Sequence, residues 1–566
     1  MTNGWFPAPA NFNRADLRAD LTAGLTLGIL LIPQAMAYGM LAGVAPVYGL
    51  YAALVPLLVY ALLASTPHVS VGPTALASLL CLNGLSGLAE PGTARYLELV
   101  ILLAGLTGVF QLVFGLLRMG GIVSLLSRPV LSGFVSAAAV LIIVSQLDVL
   151  LGVETTRATF LHAKLLALAK GLPGLHWPSA LLGISTLGLL MAAGRWLPKK
   201  LPVMLLLIAA FTLLLWSVGR AWGIAIVGDI PDGLPYFSVP VLSDLRALVP
   251  TAMVLALISF VETLSIGKSL GPRHEYYRVF PNRELLALGA SKFLGAFFQA
   301  IPTSASFSRS AIVETNGARS PLANIFAALL LLVVLLFLTP IFYYLPVPVL
   351  AAIIIYSVRN LLDVAEMKRL WKLAPKEFAT LIITFVFTLF AGLQYGIAGG
   401  VLLSLVFVFA RAARPHLAEL GRIPGTNAFR NRLRFPEVEI DPAILIVRFD
   451  AELYFGNAEY FRDALEALVR KRGDSLRAVI IDGHTINDVD TSGLFALTRF
   501  REGLESQGTE LYLTGMIGPV RDMLYKCGLM ERMGASRHFL SIQQALDHHS
   551  GERRERGWDR PAVQHD

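Results

Sequence analysis

The sequence has 566 residues and a formal net charge of +8, with 55% hydrophobic and only 15% charged residues. A soluble protein usually carries about 25% charged residues, and here the apolar residues form blocks of the length that crosses a bilayer. This composition excludes a wholly soluble protein and predicts a polytopic helical membrane protein. Because basic residues collect in the cytoplasmic loops of such proteins, the positive charge does not indicate a nucleic-acid partner.

Residues 1–18 lack the basic start, apolar core and small-residue cleavage site of a signal peptide. We therefore expect them to form a retained, cytoplasmic N-terminal segment. The two cysteines, Cys81 and Cys527, lie in very different regions of the sequence, which argues against a disulfide and against a metal site built on cysteine.

Between residues 19 and 413 the sequence predicts a transmembrane transport domain of fourteen apolar segments. They lie near 20–43, 46–65, 71–86, 95–117, 129–149, 177–194, 201–219, 247–270, 284–300, 306–315, 321–338, 345–361, 377–392 and 395–412. The even number places both termini on one side. Basic loops such as "RNLLDVAEMKRLWKLAPKE" identify that side as the cytoplasm, whereas Asp229, Asp232 and Asp244 lie in an outer loop.

The third and tenth segments are short, so a short segment stands third in each half of seven. With seven segments per half, the second half must be inverted relative to the first. Interrupted segments at matching places in inverted halves are typical of a transport site near the bilayer midplane. The pattern predicts a 7+7 inverted repeat with half-helices near 71–86 and 306–315.

After residue 413 the sequence becomes rich in charge and alternates strand-like with helix-like stretches, such as "LRAVIIDG" and "SGLFALTRFREGLESQG". This alternation predicts a soluble α/β domain at 437–548, joined by a linker at 414–436. The charged stretch at 549–566 is typical of a disordered tail.

Each short segment follows a polar, extended stretch, "STPHVSVGP" in one half and "IPTSASFSRS" in the other. If both helices begin partway through the bilayer, their N-termini face each other and form an anion site from N–H groups and helix dipoles. Gly72 permits close approach and Pro73 suits a first helical turn. In the second half Ser304, Ser306 and Ser308 can cap the helix or donate to a ligand.

Arg309 adds a full positive charge beside this predicted site. An ionisable residue at membrane depth usually faces a cavity or a partner, and the half-helix pattern favours that interpretation. The alternative is a guanidinium in a loop near the lipid headgroups.

Glu262 lies in a long apolar segment, and Ser259 and Ser265 share its helical face. A carboxylate in such a place is a candidate for proton coupling, or alternatively a structural partner of Arg309 or Lys268. Gln34 and Tyr38, four residues apart beside Pro33, are candidates to line the site, or to make polar contacts between helices.

Three motifs resemble one known family. "PVYGLYAALVPLLVYALLASTPHVSVGPTALASLL" at residues 46–80 is similar to the signature of the sulfate permease (SulP) family of anion transporters. "FVETLS" and "PTSASFSRS" resemble further stretches of that family, and the tail resembles the STAS domain shared by sulfate transporters and anti-sigma-factor antagonists. The resemblance covers nearly the whole chain.

The resemblance implies a uracil-permease-like fold, in which segments one to four and eight to eleven form a core that moves against a gate. It further implies a homodimer with cytoplasmic STAS domains, which can bind a cytoplasmic partner. Transferred by motif, the anion site would comprise Gln34, Tyr38, Thr74, Ala75, Glu262, Ser306, Ser308 and Arg309.

Two details of the resemblance affect regulation and charge. In anti-sigma-factor antagonists the hydroxyl at the position of Ser492 is phosphorylated, although Asp490, Thr491 and Ser492 by themselves read as a helix N-cap cluster. Many family members carry a basic residue after the small-residue run, where this sequence has "ASTPH" with His68. The difference predicts weaker anion attraction at that mouth of the site.

The leading hypothesis is a secondary active transporter of the plasma (inner) membrane that takes up a small oxyanion, most readily sulfate, with protons by an elevator-like mechanism. The alternatives are a sodium-coupled bicarbonate transporter, a C4-dicarboxylate symporter, and an uncoupled anion channel or exchanger. The sequence shows no Walker motif, nucleophile–base pair or metal-ligand spacing, so neither an enzyme nor a bound cofactor is expected.

Overall fold

The computed structural model describes residues 7–9, 11–121, 127–155, 161–196, 203–218, 222–231, 233–534 and 537–551. The chain divides into two compact units, residues 1–404 and 405–566. Each unit has its own hydrophobic core.

Helices make up nearly all of the regular structure in the first unit. The helices of its first part are α1 (Arg14–Leu41), α2 (Pro46–Leu63), α3 (Ala75–Leu85), α4 (Ala94–Leu116), α5 (Arg128–Leu151), α6 (Leu161–Gly171), α7 (Trp177–Trp196) and α8 (Val203–Val218). Its second part contains α9 (Leu245–Leu270), α10 (Pro281–Ala296), α11 (Phe307–Thr315), α12 (Leu322–Val333), α13 (Val347–Val358), α14 (Val364–Leu373), α15 (Pro375–Ala391) and α16 (Leu393–Ala413). Two short strands, β1 (Val71–Gly72) and β2 (Ser304–Ala305), precede α3 and α11.

All fourteen predicted apolar segments coincide with helices in the described part of the chain. Eight of the described helices are long and apolar enough to cross a membrane, and α3 and α8 are shorter apolar helices. Large apolar side chains such as Trp177, Leu181 and Trp196 point outward, as they do on a surface that faces lipid. The chain is therefore an integral, multi-pass membrane protein.

Two helices, α6 and α14, were not among the predicted segments. Helix α14 is strongly amphipathic, "VAEMKRLWKL", and of its residues only Leu370 is buried. A hydropathy criterion detects membrane-spanning segments and not amphipathic helices, so it does not predict α14.

Helix packing in the first unit separates into two groups. Helix α1 packs against α12 and α2, and α4 packs against α10 and α9. Helix α5 packs instead against α13 and α15. The short helices α3 and α11 both contact α1.

The second unit is a six-stranded sheet in the order β4-β3-β5-β6-β7-β8. Its strands are β3 (Leu417–Arg422), β4 (Phe429–Asn431), β5 (Ile444–Phe449), β6 (Ala478–Asp482), β7 (Glu510–Thr514) and β8 (His538–Phe539). Its helices are α17 (Ala458–Arg472), α18 (Thr491–Ser506), α19 (Gly518–Lys526), α20 (Leu529–Met533) and α21 (Ile542–His549). Strands β5 to β8 are parallel, as alternating strands and helices predict, whereas β3 and β4 are antiparallel.

Strands β3 and β4 lie within 414–436, the segment that was expected to be a linker. Strand β3 pairs with β5 from Leu417 opposite Phe449 to Leu420 opposite Ile446. Its short stretch "LAELGR" mixes charged with apolar residues, so the period-2 signal is weak and pairing with β5 decides the conformation.

The predicted ends of the chain fall partly outside the described residues. Helix α1 begins at Arg14, so the expected N-terminal segment 1–18 is helical at its end. Most of the expected disordered tail at 549–566 lies outside the described residues, because only 549–551 are described. Cys81 and Cys527 are both free thiols.

Candidate anion-binding site

The two short helices α3 and α11 begin beside the same pair of strands. Strands β1 and β2 are antiparallel, with Val71 opposite Ala305 and Gly72 opposite Ser304. Two further bonds extend the pairing, from the Ser306 N–H to the Ser70 carbonyl at 3.1 Å and from the Ser70 N–H to Ser310 Oγ at 3.0 Å. Residues more than 200 positions apart in sequence thereby bring both helix N-termini to one place.

Arg309 lies on the first turn of α11 and is only 1% exposed. Its Nη1 donates to the carbonyl oxygen of Pro73 at 3.0 Å, so the side chain reaches across to the start of α3. Its Nε and Nη2 have no hydrogen-bond partner among the described residues. A buried guanidinium with unused donors is costly unless an anion completes its hydrogen bonds.

Gly72 lies against this arginine. A Cβ atom added to Gly72 would lie 3.4 Å from Arg309 Nη2, which is ordinary van der Waals contact, and Gly72 itself is buried. The guanidinium therefore packs against β1, and the close approach expected of Gly72 stays a prediction.

The predicted hydroxyls have different roles in the structure. Thr74 is the N-cap of α3 and accepts from the Ala77 N–H at 3.4 Å. Ser304 donates to the Glu262 carboxylate. Ser306 makes no side-chain cap and instead pairs with Ser308 at 3.2 Å, and Ser308 is exposed. Ser306 and Ser308 thus remain available to a ligand, whereas Ser304 is committed to Glu262.

Glu262 on α9 is half-buried. It interacts electrostatically with Lys292 and with Arg309. Lys268, the other suggested partner, is exposed and is not among these charges. Ser259 turns away from Glu262 to accept from Gln111 at 2.8 Å, and Ser265 is exposed.

Gln34 and Tyr38 are buried one turn apart on α1, 7% and 6% exposed. The Tyr38 hydroxyl interacts with Ser357 of α13 and with the charge of Arg309. Ala75, the first residue of α3, is also buried. The structure thus places Tyr38 near Arg309, with Gln34 on the same face of α1 by i, i+4 spacing.

His68 is fully buried, with Nδ1 at 3.1 Å from the Tyr277 hydroxyl and Nε2 at 2.9 Å from the Ala318 carbonyl. Its ring also stacks on His274, with centroids 4.3 Å apart. These contacts give His68 a structural role, and weaker anion attraction at its position stays a prediction.

Sequence reasoning missed Lys292 and Gln111. Lys292 on α10 is 1% exposed, and its Nζ donates to Gln111 Oε1 of α4 at 2.8 Å. A lysine in the apolar stretch "LGASKFLGAFF" was a visible signal, since ionisable residues within membrane segments are rare and functional by default.

Comparisons with known proteins identify the family of this chain. Residues 17–384 match the sulfate permease family and residues 435–545 match the STAS domain. The chain is 36% identical to a probable sulfate transporter 4.2 of Arabidopsis thaliana, over 92% of this chain and 79% of that protein. It is 32% identical to a probable sulfate transporter of Mycobacterium tuberculosis, over 96% of this chain and 98% of that protein.

Solved structures show the same architecture. The murine Solute Carrier 26 family member A9 anion transporter in its inward-facing state superposes with a TM-score of 0.88 at 26% identity, covering 96% of this chain and 93% of that one. The transmembrane domain of a cyanobacterial bicarbonate transporter, 22% identical, superposes with a TM-score of 0.59 over 71% of this chain and 99% of that one, and shows the fold alone. The chain belongs to the sulfate permease family of anion transporters, carries a C-terminal STAS domain, and is a transporter rather than an enzyme.

Proposed function

We propose that this chain is a secondary active transporter that takes up sulfate together with protons. The observation that carries the proposal is Arg309, a buried guanidinium beside the starts of two helices whose Nε and Nη2 have no partner within the described ranges. Charge-assisted hydrogen bonds to an oxyanion would satisfy these donors, and the helix dipoles favour the same negative charge. The relatives named sulfate transporters support sulfate as the oxyanion.

The anion is proposed to bind between the starts of α3 and α11, with contacts from α1. The residues assigned to it are Gln34, Tyr38, Thr74, Ala75, Ser306, Ser308 and Arg309. The contact of Arg309 with the Pro73 carbonyl supports this placement, because it ties the starts of α3 and α11 together.

We infer that the membrane unit is a 7+7 inverted repeat, with α1–α4 and α9–α12 as the core and α5, α7, α8, α13, α15 and α16 as the gate. The packing supports this division, because α1 and α4 pack against α12 and α10, whereas α5 packs against α13 and α15. The pairing of β1 with β2 supports the repeat, because each strand precedes the third helix of its half. An elevator-like movement of the core against the gate would then carry the anion across.

The cellular arrangement follows from the same resemblance and from the charges of the loops. We place the transporter in the plasma (inner) membrane as a homodimer, with the N-terminal segment 1–18 and the STAS domain (437–548) in the cytoplasm. A cytoplasmic partner of the STAS domain and a regulatory role for Ser492 belong to this proposal. Ser492 is the second residue of α18 and half-buried, at a helix N-terminus that would stabilise a phosphate.

Proton coupling is assigned to Glu262. Its carboxylate accepts from Ser304 of β2, the strand that leads into α11. Protonation of Glu262 removes a negative charge that would otherwise repel the incoming anion. Proton binding and anion binding would therefore favour each other, which is the thermodynamic requirement for symport.

The test is uptake by the purified full-length protein in proteoliposomes. Labelled sulfate, bicarbonate and fumarate are supplied separately, with an imposed proton gradient, an imposed sodium gradient or neither. We expect sulfate uptake driven by the proton gradient. Bicarbonate uptake driven by sodium, fumarate uptake, or anion flux indifferent to both gradients would each replace the proposal with one of the alternatives.

The first prediction concerns Glu262→Gln, which removes the titratable group but keeps the hydrogen bond from Ser304. We expect sulfate still to bind, while uptake no longer responds to an imposed pH gradient. Glu98→Gln is the matched control, because Glu98 is an exposed carboxylate paired with Arg95. Uptake by the Glu262→Gln variant with the pH dependence of the parent would contradict the assignment.

A further inference from the structure

A second buried cation, Lys292, lies close to the proposed site without belonging to it. Lys292 is 1% exposed, and its Nζ donates to Gln111 Oε1 at 2.8 Å. An ammonium group has three donors, and burying its charge is expensive unless another charge compensates it. The buried ammonium of Lys292 therefore requires a compensating negative charge nearby.

Hydrogen bonds fix Lys292 relative to the helix that carries Glu262. The Gln111 amide donates through Nε2 to the Ala256 carbonyl at 2.9 Å and to Ser259 Oγ at 2.8 Å. These two bonds turn its Oε1 toward Lys292. Gln111 therefore ties Lys292 to α9, the helix that carries Glu262.

Glu262 is the negative group with which Lys292 interacts electrostatically. Among the titratable groups of the described residues, Lys292 interacts electrostatically with Glu262, and Glu262 interacts with Lys292 and with Arg309. The neighbouring helix α4 contributes the neutral side chain of Gln111 to this place.

Helix α10 also carries a buried carboxylate, Glu284, which is hydrogen-bonded in a separate cluster. Glu284 lies eight residues, or about 12 Å, before Lys292 along the helix. It accepts hydrogen bonds from Tyr60, from the Ser65 N–H and hydroxyl, and from Thr66. Glu284 is therefore satisfied without Lys292, which leaves Glu262 as the counter-charge of the lysine.

The charges of this cluster can be counted. Lys292 and Arg309 contribute two positive charges and Glu262 one negative charge, so the empty cluster carries a net +1. A proton on Glu262 raises the net charge to +2. Since an uncompensated charge is costly in a low-dielectric interior, the protonated cluster best accommodates an anion of charge −2. A bound dianion also favours the ammonium form of Lys292.

Removing the charge of Lys292 changes this balance by one unit. The cluster would then carry +1 with a proton on Glu262 and no net charge without it. An anion of charge −1 would compensate the protonated cluster completely, and a dianion would leave an excess negative charge. The lysine therefore distinguishes anions by charge rather than by shape.

We propose that Lys292 is a specificity-determining residue that sets the charge of the transported anion and makes the site select a dianionic oxyanion. It acts through the field on Glu262 and the anion, without touching the anion itself. The inference rests on the proposed function, because it assumes that Glu262 carries the coupled proton and that the anion binds beside Arg309.

The test compares two tetrahedral anions of similar shape and different charge, sulfate and perchlorate. Their binding to the purified full-length protein in lipid nanodiscs is measured by calorimetry at several pH values. We expect the parent protein to prefer sulfate. In Lys292→Gln, which can still hydrogen-bond Gln111, the ratio of sulfate to perchlorate affinity is expected to fall by about tenfold or more. Lys292→Arg keeps the charge and is expected to keep the preference.

Two controls separate charge from packing. Ser291→Ala alters a buried neighbour on the same helix, whose hydroxyl donates to the Leu288 carbonyl, and is expected to leave the ratio unchanged. If Lys292→Gln does not fold, Lys292→Met provides a second neutral side chain for the same measurement. A neutral variant that retains the sulfate to perchlorate ratio of the parent would overturn the inference.

Failure of the inference is distinguishable from failure of the proposed function. If the parent protein couples sulfate uptake to protons and the neutral Lys292 variants keep its anion preference, only the role of Lys292 is wrong. If the parent protein does not bind sulfate, or binds it without any dependence on pH, the proposed function is wrong and the inference fails with it.

Discussion

Arg309 illustrates how one side chain joins two distant parts of the sequence. One nitrogen of its buried guanidinium, Nη1, binds the Pro73 carbonyl, and the other two have no partner in the part of the chain that the structure describes. A single hydrogen bond does not satisfy a buried guanidinium, so the geometry favours a ligand over a purely structural role. The sequence left open whether this arginine lies at a lipid headgroup, and in the structure its side chain is buried within the protein.

We predict that Arg309→Ala abolishes measurable sulfate binding while the protein still folds. At least two charge-assisted hydrogen bonds would be lost, which corresponds to about 3 kcal/mol or more and a fall in affinity of over a hundredfold. Calorimetry on the purified protein measures the affinity, and size-exclusion chromatography reports folding. Arg273→Ala is the control, because Arg273 is exposed and pairs with Glu314. An unchanged sulfate affinity in Arg309→Ala would refute the assignment.

A second residue-scale prediction concerns Asp450 of the STAS domain. Partial burial raises its pKa, but the hydrogen bonds from Arg448 and His416 lower the pKa by a larger amount. The pKa therefore lies below the ordinary value. The stability that this carboxylate contributes is therefore present above its ordinary pKa of 3.8 and is lost as the pH falls through the lowered folded-state pKa.

Asp450→Asn is accordingly expected to destabilise the STAS domain at neutral pH by less than about 1 kcal/mol, because the pair is partly solvent-exposed. Hydrogen exchange of the β5 amides in the full-length protein measures the effect. The difference between variant and parent should shrink below pH 4. A difference that persists undiminished at low pH would show that the carboxylate charge is not its cause.

At the scale of elements, close packing of α4 against α10 places Gln111 next to Lys292. A Cβ atom on Gly108 would lie 2.8 Å from the Gly289 carbonyl, and one on Gly289 would lie 2.7 Å from the Leu112 nitrogen. Small residues let two membrane helices approach with their backbones in contact. The polar network between the helices therefore depends on glycines that carry no polar group.

We predict that Gly108→Ala destabilises the membrane unit by about 1–3 kcal/mol, because the added methyl group overpacks the contact. Thermal unfolding of the purified protein measures the change. Gly188→Ala is the matched control, because a Cβ there meets nothing within 4 Å and alanine is the better helix former. Equal transition temperatures for the two variants would contradict the role of the α4–α10 contact.

At the scale of the whole molecule, the loop charges predict one orientation in the membrane. The chain contains two cysteines, Cys81 and Cys527, of which Cys81 is buried and Cys527 is partly exposed. Cys527 therefore serves as a native reporter for the STAS domain. The outer loop can be marked with Asp229→Cys at an exposed position.

We predict that a membrane-impermeant maleimide labels Cys527 in inside-out vesicles and not in intact cells. Asp229→Cys should show the opposite pattern, because basic loops are retained in the cytoplasm and Asp229 lies in the predicted outer loop. Labelling is measured by a mass shift of the purified chain. Labelling of Cys527 from outside intact cells would invert the proposed topology.

The sequence by itself determined the helical segments, the α/β tail and the candidate residues Arg309 and Glu262. The length of apolar segments, the charge of loops and rare charges within membrane segments are local signals. They can be identified without knowing which residues are in contact. The same local signals predicted that α3 and α11 would be short. They also indicated that glycine and hydroxyl residues would precede these two helices.

Only the tertiary structure decided which groups meet. The pairing of β1 with β2, the bond from Ser304 to Glu262 and the contact of Lys292 with Gln111 join residues far apart in sequence. Strand β3 likewise forms because β5 offers an edge to pair with, and not because "LAELGR" favours a strand strongly, and β4 pairs in turn with β3. Short strands and buried polar networks are stabilised by their partners, so no local pattern can specify them.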